Sequence, residues 1–314
     1  MRGDQRYLSG SKRVLCFLAT EKGYFTLKHA LLCGLRENIG CVVSYKDKRV
    51  NDDYIQQIML LCEEYGIAYY NWFQVKDKLS EVVINHGVTG AVTISWQYLI
   101  DLQLNALLQD ELIVIHDSLL PKYRGFAPTP TAILCGDKEI GISAIFAEEE
   151  VDSGNIILQK KMMIKDDDYI KDIITRQSHL YAEVFLELMN MMQTNQLASY
   201  PQEHENATYS VWRSVDDCRI DWSKPVSKIY ALVRAVSFPY PGAFTFYEGK
   251  KIMICRAKLT DKDLKFAIRD HGKIWSIEDG APVIICGEGM LKITDAVFEN
   301  GEKVMFEKLR VRLK

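Results

Sequence analysis

The 314 residues, 48% hydrophobic and 26% charged, can bury one large core or two moderate ones, and two domains are expected. A formal net charge of −3 gives no global attraction to nucleic acid, and no apolar run reaches the roughly 18 to 20 residues of a membrane span. The eight cysteines are scattered without a Cys-x-x-Cys pair and Met1–Lys12 has no apolar signal core, so reduced thiols, no metal centre and a cytoplasmic location are expected.

In chain order, residues 13–20 read as a buried strand and 26–36 as a helix with periodic leucines. Short apolar runs at 40–44, 66–70, 90–95 and 112–115 then alternate with amphipathic stretches at 52–65, 76–85 and 98–108. That rhythm predicts an α/β fold built on a mostly parallel, Rossmann-like sheet. The turn after the first strand, Ala19-Thr20-Glu21-Lys22-Gly23, lacks the glycine spacing that seats a dinucleotide pyrophosphate, which disfavours a nicotinamide dehydrogenase.

The run Leu112-Ile113-Val114-Ile115 leads into His116 and the turn-rich segment Asp117-Ser118-Leu119-Leu120-Pro121-Lys122-Tyr123-Arg124-Gly125. A strand end opening into such a loop is where sites assemble on parallel sheets. Ser118 lies only two residues from His116 and no Gly-x-Ser-x-Gly elbow occurs, so a serine hydrolase is disfavoured. Predicted strands at 140–147 and 155–163 bracket the acidic run Glu148-Glu149-Glu150 and the segment Val151-Asp152-Ser153-Gly154, and 169–192 reads as a long helix.

The polar stretch 196–207, with Pro201, marks a boundary between a catalytic domain at 1–200 and a C-terminal β-rich, open-barrel-like domain at 208–314. In the latter a helix is expected at 225–237, followed by strands at 243–247, 251–257, 273–277, 283–286 and 290–296 separated by tight turns.

His-x-Ser-Leu-Leu-Pro-Lys-Tyr-Arg-Gly from His116 to Gly125, followed by Asp152-Ser153-Gly154, resembles the folate-dependent formyltransferases. Ile220-Asp221-Trp222-Ser223 and the segment Arg234 to Phe244 resemble the C-terminal region of their two-domain members, so the resemblance spans most of the chain. It implies 10-formyltetrahydrofolate as formyl donor, and a catalytic set of an asparagine, His116 and Asp152. Val114 stands where the asparagine belongs. Alternation puts Val114 and His116 on one strand face, so the valine is expected to look into the site.

Formyl transfer needs an acceptor for the amine proton and a donor for the oxygen that becomes negative; His116 and Asp152 meet those needs, whereas a strand-end histidine is more often simply bonded to backbone. By the same resemblance Ser95, Trp96 and Tyr98 border the pterin pocket, and Leu119, Leu120 and Pro121 form a wall of it. Trp96 and Tyr98 are equally readable as packing aromatics. Lys122 and Arg124 are candidate contacts for a substrate phosphate or cofactor tail, or else solvated loop charges. Arg234 and Tyr240 are candidate substrate contacts, or else hold the two domains together.

The acceptor that the resemblance favours is the amino group of a UDP- or dTDP-linked 4-amino-4,6-dideoxy sugar for surface-polysaccharide synthesis, and Val114 suggests the branch serving pseudaminic-acid-type sugars. No nucleic-acid or membrane partner is expected, and a homodimer is among the assemblies open to such a chain. A methionyl-tRNA formyltransferase, a formyltetrahydrofolate hydrolase and a folate-binding protein without catalysis remain as alternatives.

Overall fold

A computed structural model describes residues 12–48, 50–261 and 264–314; of the polar first twelve residues only Lys12 falls within it. The expected alternation forms β1 (Val14–Leu18), α1 (Thr20–Leu32), β2 (Ile39–Ser44), α2 (Ile55–Glu64), β3 (Ala68–Asn71), the short α3 (Trp72–Val75), α4 (Leu79–His86), β4 (Gly90–Ile94) and β5 (Leu112–His116). Then come β6 (Arg124–Gly125), α5 (Pro128–Cys135), β7 (Glu139–Phe146), β8 (Ile156–Met163) and α6 (Ile170–Gln193). Seven strands make one sheet in the order β3-β2-β1-β4-β5-β7-β8. The first five run parallel, while β7 and β8 are antiparallel additions at one edge.

β1, β2 and β4 are buried at every residue, as a sheet covered on both faces requires. On one face α1 and α6 pack Leu27, Tyr181, Phe185 and Leu188 against Leu18, Ile113 and Ile115. The other face carries Phe17, Tyr45, Trp72 and Leu112. The amphipathic pattern at 98–108 does not become an α-helix: only a 3₁₀ segment, Leu102–Leu107, forms. Side chains there are spent on backbone, with Asp101 capping Gln103 and Asn105 Oδ1 accepting the Leu112 N–H at 2.8 Å, which ties the segment to the start of β5.

Beyond α6 the chain returns to pair β9 (Tyr209–Ser210) with β6, then forms α7 (Val226–Ala235). β10 (Ala243–Tyr247), β11 (Lys250–Leu259), β12 (Ile274–Glu278), β13 (Ala281–Ile285) and β14 (Met290–Phe298) build an antiparallel sheet in the order β10-β11-β14-β13-β12. Its core is not separate. Tyr123, Ile133, Ile140, Ile164 and Ile170 of the first domain belong to one apolar cluster with Trp222, Ile229, Val233, Ile252 and Ile254 of the second. Tyr169 Oη sits across the junction, accepting from Ala257 N at 3.0 Å and donating to Ala257 O at 3.1 Å. No helix among the described residues is long and apolar enough to cross a membrane.

Candidate functional site

Two loops converge on the sheet face opposite α1 and α6. β5 delivers the first: Leu112, Val114 and His116 point to that face, and His116 is only 8% exposed. The second is the β7–β8 hairpin loop, which leaves the sheet beside Ile113 because Ile113 pairs with Phe146. It folds back along the face, bringing Asp152 Oδ2 to 3.4 Å from His116 Nδ1. The sequence pairing of these two side chains is therefore realised in space. The other ring nitrogen, Nε2, lies 2.8 Å from Tyr123 O. A carbonyl only accepts, so Nε2 carries a hydrogen and Nδ1 is the atom free to take or release a proton beside Asp152.

The loop after β5 is held rigidly. Ser143 Oγ donates to Ser118 O at 2.6 Å and accepts from Leu120 N at 3.0 Å and Gln159 Nε2 at 2.7 Å; Gln159 also donates to Leu120 O at 3.0 Å. Those bonds use all of the hydroxyl's capacity. Leu120 is buried with Ile145 and Ile156, and Val114 packs against this cluster. Val114 thus does face the site side of the sheet, as an apolar wall. Leu119 packs on Gly141, where a Cβ would come within 2.4 Å of its Cδ2, and Pro121 O accepts from Thr208 N at 3.2 Å.

Ser95 bonds Thr20 hydroxyl to hydroxyl at 2.9 Å at the end of β4. Trp96 packs edge-on to Phe17, Tyr45 and Trp72 with ring centroids 5.0 to 5.3 Å apart, and Tyr98 stacks on Trp72 at 5.8 Å. The aromatics are therefore mutual packing partners, yet the Trp96 indole N–H is buried without a hydrogen-bond partner. Trp96 and Tyr98 are only partly buried, so the edge of this aromatic wall offers a flat ring an apolar surface to stack on.

Of the two candidate phosphate contacts, Arg124 departs from both of its expected readings. Arg124 is 1% exposed, neither solvated nor open to a ligand: its Nε and one terminal nitrogen bond Gln202 Oε1 at 3.1 and 2.7 Å, and the latter nitrogen also meets His204 Nδ1 at 3.0 Å. Lys122 is half-exposed and pairs with Asp137 Oδ2 at 2.7 Å, in keeping with a solvated loop charge. Arg234 takes the domain-bridging role, donating to Asp168 O at 2.7 Å and Lys165 O at 3.1 Å. Tyr240 is half-buried against the shared core, following Pro239, whose carbonyl accepts the Asn51 N–H at 3.0 Å.

Several residues escaped the sequence reading. Asp117, pointing to the opposite face from His116, pairs with the buried Lys22 at 2.5 Å and accepts from Tyr181, whose hydroxyl oxygen also lies 3.1 Å from Ile115 O. Burial pushes the Asp117 carboxyl up, but Lys22, helped by Tyr181, outweighs it and holds the group below the usual carboxylate range. The stretch read as a linker also belongs to the site, since Gln202 donates to Asp152 O and Gly154 O; just beyond it, Thr208 Oγ1 accepts from Tyr123 N at 3.0 Å. Pro201 and the surrounding polarity made this stretch look like a spacer. Asp117 carried one signal, its place inside the motif.

Residues 17–189 match the family description "Formyl transferase" and residues 213–310 match "Formyl transferase, C-terminal domain". The methionyl-tRNA formyltransferase of Caldanaerobacter subterraneus subsp. tengcongensis is 33% identical over 192 residues, covering 61% of this chain and 60% of that enzyme's length. In structure, the chain is similar to the N-formyltransferase from Helicobacter canadensis in complex with folinic acid and dTDP-3-aminofucose, with TM-score 0.67, 16% identity, and coverage of 93% and 100% of the two chains. HypX from Aquifex aeolicus in complex with tetrahydrofolic acid aligns with TM-score 0.65 and 16% identity over 95% of this chain and 46% of that one. At such identities the structural likeness speaks for the fold.

Proposed function

Because the chain belongs to the formyl transferase family, we propose that it is an N-formyltransferase taking a formyl group from 10-formyltetrahydrofolate to the amino group of a UDP- or dTDP-linked 4-amino-4,6-dideoxy sugar. The observation that carries the reaction is the His116–Asp152 pair, 3.4 Å apart and almost wholly buried on one sheet face. The donor supplies the electrophilic one-carbon unit. Trp96 and its aromatic neighbours bind the donor's ring, with Ser95, Tyr98 and Leu119-Leu120-Pro121 bordering it. Nδ1 of His116 takes the amine proton as the new C–N bond forms and returns it to N10 of the donor as the old C–N bond breaks, releasing tetrahydrofolate, while Asp152 stabilises the ring in its protonated form. Val114 supplies no hydrogen bond; the protonated ring or a backbone N–H takes that part.

The acceptor assignment is supported by charge. The net charge of −3 offers no global attraction to a long polyanion such as tRNA, whereas a nucleotide sugar brings a single diphosphate. Methionyl-tRNA formylation is the competing reading, favoured by the sequence relatives. That similarity covers 192 residues, and the donor chemistry is common to both readings. The enzymes of the pseudaminic-acid-type branch are the narrower source of acceptors to try first. Incubation with 10-formyltetrahydrofolate and either a panel of UDP- and dTDP-amino sugars or charged initiator tRNA, with mass detection of one added formyl, tests the assignment. Efficient formylation of the tRNA with every sugar untouched overturns it.

A further inference from the structure

The residues that fix Asp152 lie where the chain leaves the catalytic domain. Asp152 has φ +55°, in the left-handed region that a non-glycine residue occupies when its surroundings hold it there. One side-chain amide does so from behind. Gln202 Nε2 donates to Asp152 O at 2.8 Å and to Gly154 O at 2.7 Å. Its Oε1 accepts both bonds from Arg124. A guanidinium only donates, so the amide oxygen must face Arg124 and the NH₂ must face the two carbonyls. With Gln202 5% and Arg124 1% exposed, solvent has no access with which to replace these bonds. The carboxylate end of Asp152 is set separately, by the Gly125 N–H donating to Oδ2 at 2.8 Å.

We propose that Gln202, oriented by the buried Arg124, is the positioning residue that keeps the Asp152 carboxylate against His116. Its importance for turnover rests on the formyl-transfer reading; its effect on Asp152 does not. Gln202 contacts the backbone of the loop and none of the reacting atoms, so it acts through Asp152. A loop released from its two N–H donors lets the carboxylate move away from Nδ1, and a misplacement of about 1 Å in a catalytic group costs on the order of a hundredfold in rate.

Gln202→Glu tests this, because it keeps an oxygen for Arg124 and the original side-chain size while removing both donors. We expect kcat to fall about a hundredfold and the donor's KM to change less than about threefold. In an Asp152→Asn background the same substitution should cost nothing further, since the two act through one group. The Gly125 amide resonance, which reads the carboxylate on its own N–H, should move in Gln202→Glu in the same direction as in Asp152→Asn. Gln202→Asn, one methylene shorter, replaces it if cooperative thermal unfolding shows the first variant to be misfolded. An unmoved Gly125 resonance in a folded variant overturns the proposal, as does an equal hundredfold loss in the Asp152→Asn background, which marks general loosening. If the natural protein formylates no acceptor, the functional reading fails while the Gly125 resonance still decides the positioning.

Discussion

Replacing Asp152 by Asn removes one charge while nearly preserving shape, since the amide oxygen can still accept the Gly125 N–H bond. What is lost is the attraction between the carboxylate and a protonated Nδ1. At their separation of 3.4 Å, and with side chains 8% and 11% exposed, an effective dielectric of about 20 gives a gross attraction of about 5 kcal/mol. Desolvation of both groups offsets roughly half of that, leaving about 2.5 to 3 kcal/mol, or about a hundredfold in rate. Asp152→Asn should therefore lower kcat for formyl transfer about a hundredfold, within the range of ~10² to 10⁴ for general acid–base groups. Tetrahydrofolate affinity, measured by calorimetry, should stay within about threefold because the aromatic wall is untouched. His116→Ala should cost at least as much, and the double variant no more than the worse single one. Near-normal turnover of either folded variant, or losses that multiply, would refute the pair as a catalytic unit.

Val114→Asn should raise turnover by less than about threefold, because the new amide enters the apolar cluster of Leu120, Ile145 and Ile156, where an unpaired group costs about 1 to 3 kcal/mol. A natural protein that binds folate without transfer, combined with restored transfer in this variant, would favour the binding-protein alternative. Asp117 titrates below its unfolded value near about 4, so its contribution to stability is full above that pH and fades as pH falls through the lower folded value. Lys22→Met leaves that carboxylate unpaired, should cost about 3 to 5 kcal/mol at pH 7, and should invert the trend so that stability rises from pH 7 to pH 5. Urea unfolding of the natural protein below about pH 4 checks the first, and of the Lys22→Met protein at pH 7 and pH 5 the second; an unchanged midpoint of the variant at pH 7 would refute the charge argument. A fragment of residues 1–200 should unfold without a cooperative transition, since it lacks Gln202 and β9 and bares the apolar cluster shared with Trp222 and Val233. A sharp calorimetric transition from that fragment would show the first domain to be self-sufficient.

Residues whose role depends on local pattern were the ones legible in the sequence. The apolar runs of β1, β2, β4 and β5 read directly because strands buried on both faces have little freedom of composition. His116, Asp152 and the inward-facing Val114 followed from a motif and from the two-residue period of a strand. Arg124 did not, because its charge suggests solvent or phosphate, and its burial depends on partners remote in sequence, Gln202 78 residues away with His204 and the Glu150 carboxylate. The missing helix at 98–108 fails for a related reason: Asp101 and Asn105 hydrogen-bond to backbone instead of leaving it to helical partners. Antiparallel β7 and β8 could not be told from parallel strands by hydrophobicity alone, as a buried strand reads the same in either direction.

The pairing of β6 with β9 makes completion of the site a matter of chain order during synthesis. All seven strands of the main sheet and the whole of α6 precede residue 194, so the sheet can assemble while the last support for Asp152 is still inside the ribosome. About 60 residues separate Asp152 from β9, which at about 5 to 20 residues per second means about 3 to 12 seconds of translation. Throughout that interval Arg124 lacks Gln202, and Tyr123 lacks Thr208. The newborn domain thus acquires its architecture before it acquires a settled reaction centre, and the surface awaiting Trp222 and α7 is open to chaperones over the same period.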